Sequence, residues 1–243
     1  PFHVSLEGLE SAVLCRDDAD YDAMVKILCI AARRKNVIVV IYAVVSNHCH
    51  VAILAETQQD ADAYGIELKK IYSMWFSRRY GERNILKGID SQALCLDSDW
   101  YVRNALAYIP RNALDNGCNV NEYPWSGYRA MFGKEPPGKD CRLVKTLSRR
   151  ETRALLHTYV KMKDVPWLID ASGHLMPVSF CDHHYLEQAF ERDQSFFVKT
   201  IGAQNAAELK YRLIESPRQM IPDSQYHKLA EETCQRWYNA DLS

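Results

Sequence analysis

Two adjacent apolar segments constrain the fold of this chain most. Residues 37–42 and 43–54 are rich in β-branched and apolar side chains and contain no Gly or Pro. This predicts two neighbouring strands, with a bend at Ser46 and Asn47. Side chains alternate between the faces of a strand, so His48 and His50 should project together and Cys49 should point away. Two such imidazoles could hold one metal ion or one phosphate, or they could be a solvated or hydrogen-bonded pair at a strand end.

A later segment supplies further polar groups at helical spacing. Residues 96–112 have a helical pattern, with Ser98 or Asp99 as a candidate N-cap. Tyr108 and Asn112 are four residues apart and therefore share one helix face. Taken alone, the pattern favours Tyr108 as a core aromatic, and the chain has 14 tyrosines.

Three blocks in order resemble the single-tyrosine HUH transposases, and the REP-associated tyrosine transposases in particular. They are the Asn-His-Cys-His block at 47–50, the Tyr-Ile-x-x-Asn block at 108–112 and the Tyr-Pro-Trp-Ser-x-Tyr-Arg block at 123–129. Residues 2–4, Phe-His-Val, are similar to the opening strand of that family. The resemblance implies an α+β fold, a ferredoxin-like antiparallel sheet with packed helices. It covers residues 1–135 as a catalytic domain, and a mostly helical accessory domain is expected at 140–243.

The resemblance also implies a reaction. Tyr108 matches the family nucleophile, which cleaves and rejoins single-stranded DNA, often a hairpin, through a 5′-phosphotyrosine. His48 and His50 match the two histidines that bind a divalent ion, Mg²⁺ or Mn²⁺, and Asn112 matches a third ligand. The sequence leaves open whether Tyr108 acts within its own chain or across a homodimer.

Departures from the family pattern keep other functions open. Ser46 and Cys49 replace the usual Pro and Val, and Pro110 lies between Tyr108 and Asn112, where it could kink the helix. One alternative is therefore a catalytically degenerate, domesticated DNA-binding regulator of the same fold. A nucleotide hydrolase would need a third alternating histidine, but position 52 is Ala52. The three ordered blocks make a plain structural domain the least favoured alternative.

Two groups of basic residues are candidates for DNA-backbone contacts. The first lies on a predicted helix at about 60–80 and comprises Lys69, Lys70, Arg78 and Arg79, among aromatic residues. The second follows a capping box at residues 148–151 on a helix predicted to reach about 163, and comprises Arg149, Arg150 and Arg153. Both could instead be solvated helix faces. The formal net charge is −1, so an electropositive surface must be local.

Composition restricts the environment expected for the chain. No apolar stretch is long enough to span a membrane, and no basic-then-apolar signal pattern begins the sequence. The eight cysteines never form Cys-x-x-Cys, which predicts free thiols and no structural zinc site. We therefore expect a soluble, cytoplasmic protein.

Overall fold

The structure is a computed structural model that describes residues 1–7, 13–83, 86, 90–115, 117–134 and 136–202. These residues belong to one compact unit, Pro1–Gln204. The part of the predicted helical accessory domain that follows residue 202 lies outside the described residues. The division into domains at 1–135 and 140–243 stays a prediction.

A four-stranded antiparallel sheet forms the centre of this unit. Its strands are β1 (Phe2–Glu7), β2 (Ile38–Val44), β3 (His48–Leu54) and β4 (Asp90–Cys95), in the spatial order β2-β3-β1-β4. Helix α1 (Asp18–Lys35) connects β1 to β2, and helix α2 (Gln58–Tyr80) connects β3 to β4. This βαββαβ order with antiparallel neighbours confirms the predicted ferredoxin-like α+β fold.

Local sequence signals explain where the two connecting helices begin and end. The Asp17 side chain accepts a hydrogen bond from the Asp20 amide at the start of α1, which ends at Asn36 in the left-handed region, with φ 55°. Thr57 and Asp60 form a capping box at the start of α2, and Gly81, with φ 72°, ends it.

Helix α2 packs closely on one face of the sheet. A Cβ atom added at Gly65 would lie 1.9 Å from Ser91 Oγ and 3.3 Å from a methyl carbon of Val4. Helix α1 packs beside α2 on this same face. Because side chains alternate along β1, His3 and Ser5 project from the opposite face to Val4. We call the face under α1 and α2 the helix-pair face, and its opposite the histidine face.

A third helix covers the histidine face. Helix α3 (Asp99–Asp115) packs on β2 and β3 through side chains spaced three and four residues apart, and its buried residues include Val102, Leu106, Ile109 and Ala113. The helix continues through Pro110 without interruption. Pro110 therefore does not interrupt the helix that carries Tyr108 and Asn112.

The described chain after residue 136 adds short elements to the same unit. Strands β5 (Arg142–Leu143) and β6 (Leu168–Ile169) form a small antiparallel ladder, followed by helix α5 (His183–Ala189). The capping box at Ser148 and Glu151 begins helix α4 (Arg149–Leu156). The prediction that this helix reaches 163 is wrong, because His157 adopts a left-handed conformation with φ 52° and ends it. No helix among the described residues is long and apolar enough to cross a membrane.

The contact at Gly65 yields a stability prediction. Gly65→Ala gains about 1 kcal/mol of helix propensity but forces a methyl group onto Ser91, and overpacking costs about 1–3 kcal/mol. We expect a net loss in the free energy of unfolding, measured by urea denaturation. Ser91→Ala should restore most of it in the double variant, since the Ser91 hydroxyl has no hydrogen-bond partner in the described structure. A double variant as unstable as Gly65→Ala would contradict this packing.

Candidate nucleophile and metal cluster

The structure brings four of the sequence-predicted site residues together on the histidine face. His48 and His50 project from β3 on the same side, with ring centroids 4.9 Å apart. Tyr108 projects from α3 toward them, and its ring centroid lies 5.1 Å from that of His50. Asn112 follows one helical turn later, and its amide oxygen Oδ1 lies 3.2 Å from His48 Nε2.

Hydrogen bonds hold the amide of Asn112 in one orientation. Its Nδ2 donates to the backbone carbonyl oxygens of Tyr108 at 3.0 Å and Ile109 at 3.2 Å. The amide group must therefore turn its oxygen toward His48. Asn112 is buried, so this orientation is protected from competing water.

The contact between His48 and Asn112 brings two acceptor atoms together when His48 is neutral. His48 Nδ1 donates to the side-chain oxygen of Asn47 at 2.7 Å, since that oxygen can only accept. A neutral imidazole carries one proton, so Nε2 then directs a lone pair at the Asn112 oxygen, 3.2 Å away. A second proton on the ring, or a cation bound by both atoms, would satisfy both lone pairs.

A divalent cation fits this pair of atoms. Ligands about 2.1 Å from one ion and at right angles around it are roughly 3 Å apart, close to the observed separation. The described residues contain no group of three or more His, Cys, Asp or Glu side chains that could hold a metal ion. A three-ligand site at this cluster would need the amide oxygen of Asn112 beside the imidazoles of His48 and His50.

His3 is a member of the cluster that the sequence did not single out. It lies on β1, where the register pairs it with Ala52 and pairs Ser5 with His50. His3 Nε2 lies 3.1 Å from His50 Nδ1, so one of these nitrogens donates a hydrogen bond to the other. The contact is diagonal across two paired strands, and only the register of β1 against β3 could have revealed it.

The environment keeps two of these imidazoles neutral at neutral pH. Burial lowers the pKa of His3 to about 4. Burial, followed by the nearby His3 and His48 rings, lowers the pKa of His50 well below its usual value. Neutral imidazole is the form that binds metal ions, so His50 could bind a cation without first releasing a proton.

A buried cation lies over the candidate nucleophile. The Arg111 guanidinium carbon is 4.9 Å from the centroid of the half-buried Tyr108 ring, and Arg111 is only 5% exposed. Arg111 was not among the predicted site residues, because its place between Pro110 and Asn112 reveals nothing about its burial. The contact is a cation–π interaction between Arg111 and the Tyr108 ring.

The Tyr-Pro-Trp-Ser block supports the cluster from the edge of the sheet. The Tyr123 hydroxyl donates to the Val44 carbonyl at 2.6 Å, and the Val44 amide donates to the Trp125 carbonyl at 2.9 Å. Tyr123 also packs with Ala113 of α3. The block therefore ties the end of β2, just before the histidine strand, to the helix that carries Tyr108.

The basic residues predicted to bind DNA do not lie beside this cluster. Lys69, Lys70, Arg78 and Arg79 lie on α2, on the helix-pair side of the sheet. Arg79 also forms ion pairs with Asp17 at 2.5 Å and with Asp20 at 3.3 Å. Its charge is therefore partly neutralised within the protein.

Helix α4 lies on the same side as α2. It contacts α1, and the ring of His157 at its end is 6.1 Å from the ring of Trp75 on α2. Its predicted DNA-binding residues, Arg149, Arg150 and Arg153, are exposed. The roles of both basic groups stay predictions, and the sheet separates them from Tyr108.

The depressed histidine pKa values predict a pH dependence of stability in metal-free protein. Between pH 6.5 and about 4, unfolded His3 binds a proton that folded His3 excludes. The free energy of unfolding should therefore fall as the pH falls through this window, by up to about 1.4 kcal/mol per pH unit for each such histidine. His3→Gln should make the decline shallower in urea denaturation series with chelator present. Parallel curves for the parent and the variant would show that His3 is not buried in its neutral form.

Comparison with known proteins gives one distant structural likeness. No family model and no curated protein matches the sequence. Among solved structures, one described as "Structure of the REP associates tyrosine transposase bound to a REP hairpin" aligns over 56% of this chain and 80% of its own, with 22% identity and a TM-score of 0.41. These values are low, so we infer function from the geometry of the cluster.

Proposed function

We propose that this protein cleaves and rejoins single-stranded DNA, in particular DNA folded into a hairpin, with Tyr108 as the nucleophile. The observation that carries the proposal is the convergence of a phenol, two imidazoles and an amide oxygen on one face of the sheet. The Tyr108 ring lies 5.1 Å from that of His50, and His48 lies 3.2 Å from Asn112. These groups come from two segments, at 48–50 and 108–112, that the sequence resemblance pairs for this chemistry.

The proposed step is a transesterification at phosphorus. The Tyr108 oxygen loses its proton to solvent and bonds to the phosphorus atom of a DNA phosphodiester. The bond from phosphorus to the 3′ oxygen breaks, and that oxygen takes up a proton to become a free 3′ hydroxyl. The product is a 5′-phosphotyrosine. Because one ester replaces another, a 3′ hydroxyl can reverse the step and rejoin the strand.

We propose that His48, His50 and Asn112 hold a divalent ion, Mg²⁺ or Mn²⁺. When bound, such an ion would polarise the scissile phosphate and neutralise its charge. Two imidazoles favour Mn²⁺ on ligand softness, whereas the amide oxygen suits either ion.

Neighbouring side chains orient these proposed ligands. The Asn47 oxygen accepts the Nδ1 proton of His48, which leaves Nε2 for the ion. His3 can do the same for His50 if it accepts at Nε2, since His50 would then donate from Nδ1. Such partners fix the tautomer of a metal-binding histidine and raise its basicity.

One prediction of the proposed function tests the nucleophile. Tyr108→Phe should abolish the covalent adduct with a labelled hairpin oligonucleotide in Mn²⁺, because the variant lacks the attacking oxygen. The adduct is measured by denaturing gel electrophoresis. DNA binding and thermal stability should change little, since only a hydroxyl is removed. Tyr101→Phe, on the same helix and 39% exposed, is the matched control and should react normally.

Two outcomes of this assay would overturn the proposal in different ways. An undiminished adduct with Tyr108→Phe would place the nucleophile elsewhere. A parent protein that binds the hairpin but never forms an adduct would be the DNA-binding regulator that keeps the fold without catalysis.

Another prediction of the proposed function tests the proposed metal ligands. His48→Ala and His50→Ala should each weaken Mn²⁺ binding in isothermal titration calorimetry, and cleavage should fall in parallel. The loss should exceed the roughly 10–100-fold that follows removal of a ligand's hydrogen-bonding partner. The exposed His184 offers a matched His→Ala control that should bind Mn²⁺ normally. Unchanged affinity in both site variants would remove these histidines from the metal site.

A further inference from the structure

A concave site is lined by residues that lie outside the histidine cluster. It has a volume of about 470 Å³ and is enclosed by the turn at Val144–Thr146, the start of α4 and the segment at 158–163. We call it the rear pocket. Because α4 packs against α1 and the ring of His157 lies near Trp75 of α2, the rear pocket belongs to the helix-pair side of the sheet.

The lining of the rear pocket carries only positive charge. Its charged members are Lys145, Arg149, Lys161 and Lys163. None of the four forms an ion pair with any described residue. Four cations around one cavity repel each other, and binding of an anion would relieve that repulsion.

The acidic residues nearest in sequence are already engaged elsewhere. Glu151 caps the start of α4 and forms an ion pair with Arg142 at 3.1 Å. Asp164, next to Lys163, pairs with Arg33 of α1. Neither of these acidic side chains therefore neutralises the positive charge of the rear pocket.

The remaining lining consists of four aliphatic side chains, two threonines and one aromatic ring. Val144 and Met162 are buried, and Tyr159 stands at the pocket with 74% of its surface exposed. The Arg153 guanidinium carbon lies 4.9 Å from the Tyr159 ring centroid. An exposed aromatic ring among cations suits a nucleobase joined to phosphates, because the ring stacks on the base while the cations bind the backbone. The volume is in the range of small-ligand sites, so one nucleotide fits.

We propose that the rear pocket binds one nucleotide of a single-stranded DNA strand, with its base against Tyr159 and its phosphates between Lys161 and Lys163. The site adds a DNA contact to the proposed function, but it does not depend on cleavage by Tyr108. Binding at the rear pocket can therefore be measured in Tyr108→Phe protein, where failure of the chemistry has no effect on the result.

Salt dependence tests the charged part of the proposal. Binding of a labelled oligothymidylate is followed by fluorescence anisotropy over a salt series, in the Tyr108→Phe background. Log affinity falls as log salt rises, and each single-strand phosphate that a lysine neutralises adds about 0.7 to the magnitude of this slope. Lys161→Gln with Lys163→Gln should therefore reduce the magnitude of the slope by roughly 1.4. Lys35→Gln with Lys199→Gln removes the same charge outside the pocket and should leave the slope unchanged.

Substitution of the aromatic ring tests the stacking part. Tyr159→Ala should weaken oligothymidylate binding by roughly tenfold at every salt concentration, with no change in slope. Tyr159→Phe keeps the ring and should bind like the parent. The Tyr159 side chain is exposed, so both variants should keep the thermal midpoint of the parent.

Three results would overturn the proposal. Equal slopes for the two lysine double variants would show that the pocket does not contact the strand. Competition by thymidine monophosphate as strong as by the oligothymidylate would make the pocket a site for free nucleotides. The pocket would belong to a lipid surface if Lys161→Gln with Lys163→Gln abolished binding to vesicles containing phosphatidylserine but left oligothymidylate binding intact.

Discussion

The antiparallel pairing of β1 with β3 determines where the chemistry of this protein can lie. It places Ser5 opposite His50 and Val4 opposite Val51, and so assigns every side chain of the two strands to a face. A slip of one residue would turn both histidines toward α1 and α2 and bring Cys49 to face α3. The apolar pattern that buries Val4, Leu6, Cys49 and Val51 resists such a slip. The hydrophobic core and the candidate site therefore depend on the same register.

Local patterns predicted the parts of the site that belong to single elements. Alternation along β3 placed His48 and His50 together, and helical spacing placed Tyr108 and Asn112 on one face. His3 could not be found in this way, because its contact with His50 depends on the pairing of strands far apart in sequence. The sides occupied by α2 and α4 were also unpredictable, since periodicity shows which helix face is buried but not which face of the sheet it covers. The end of α4 depended on one left-handed residue, His157, with no glycine to mark it.

The polar groups of the cluster are held in place before any ligand binds. Backbone carbonyls orient Asn112, Asn47 orients His48, and His3 engages His50. Folding already fixes the orientation of these dipoles, so a cation would meet acceptor atoms that point toward it. The same arrangement is electrostatically unfavourable when neither a second ring proton nor a cation is present, because His48 and Asn112 then face each other with lone pairs. Binding of the proposed ion would therefore add to the stability of the folded protein.

The sheet also separates the two surfaces that we propose contact DNA. Tyr108 and Arg111 lie on one side, and the rear pocket lies on the other, so no compact ligand can touch both. A flexible polymer that wraps around an edge of the sheet could do so, and its second contact would then form at a high effective concentration. Chain length would become a determinant of affinity independent of base sequence. Short fragments would dissociate from either surface quickly, whereas a strand long enough to bridge them would be retained.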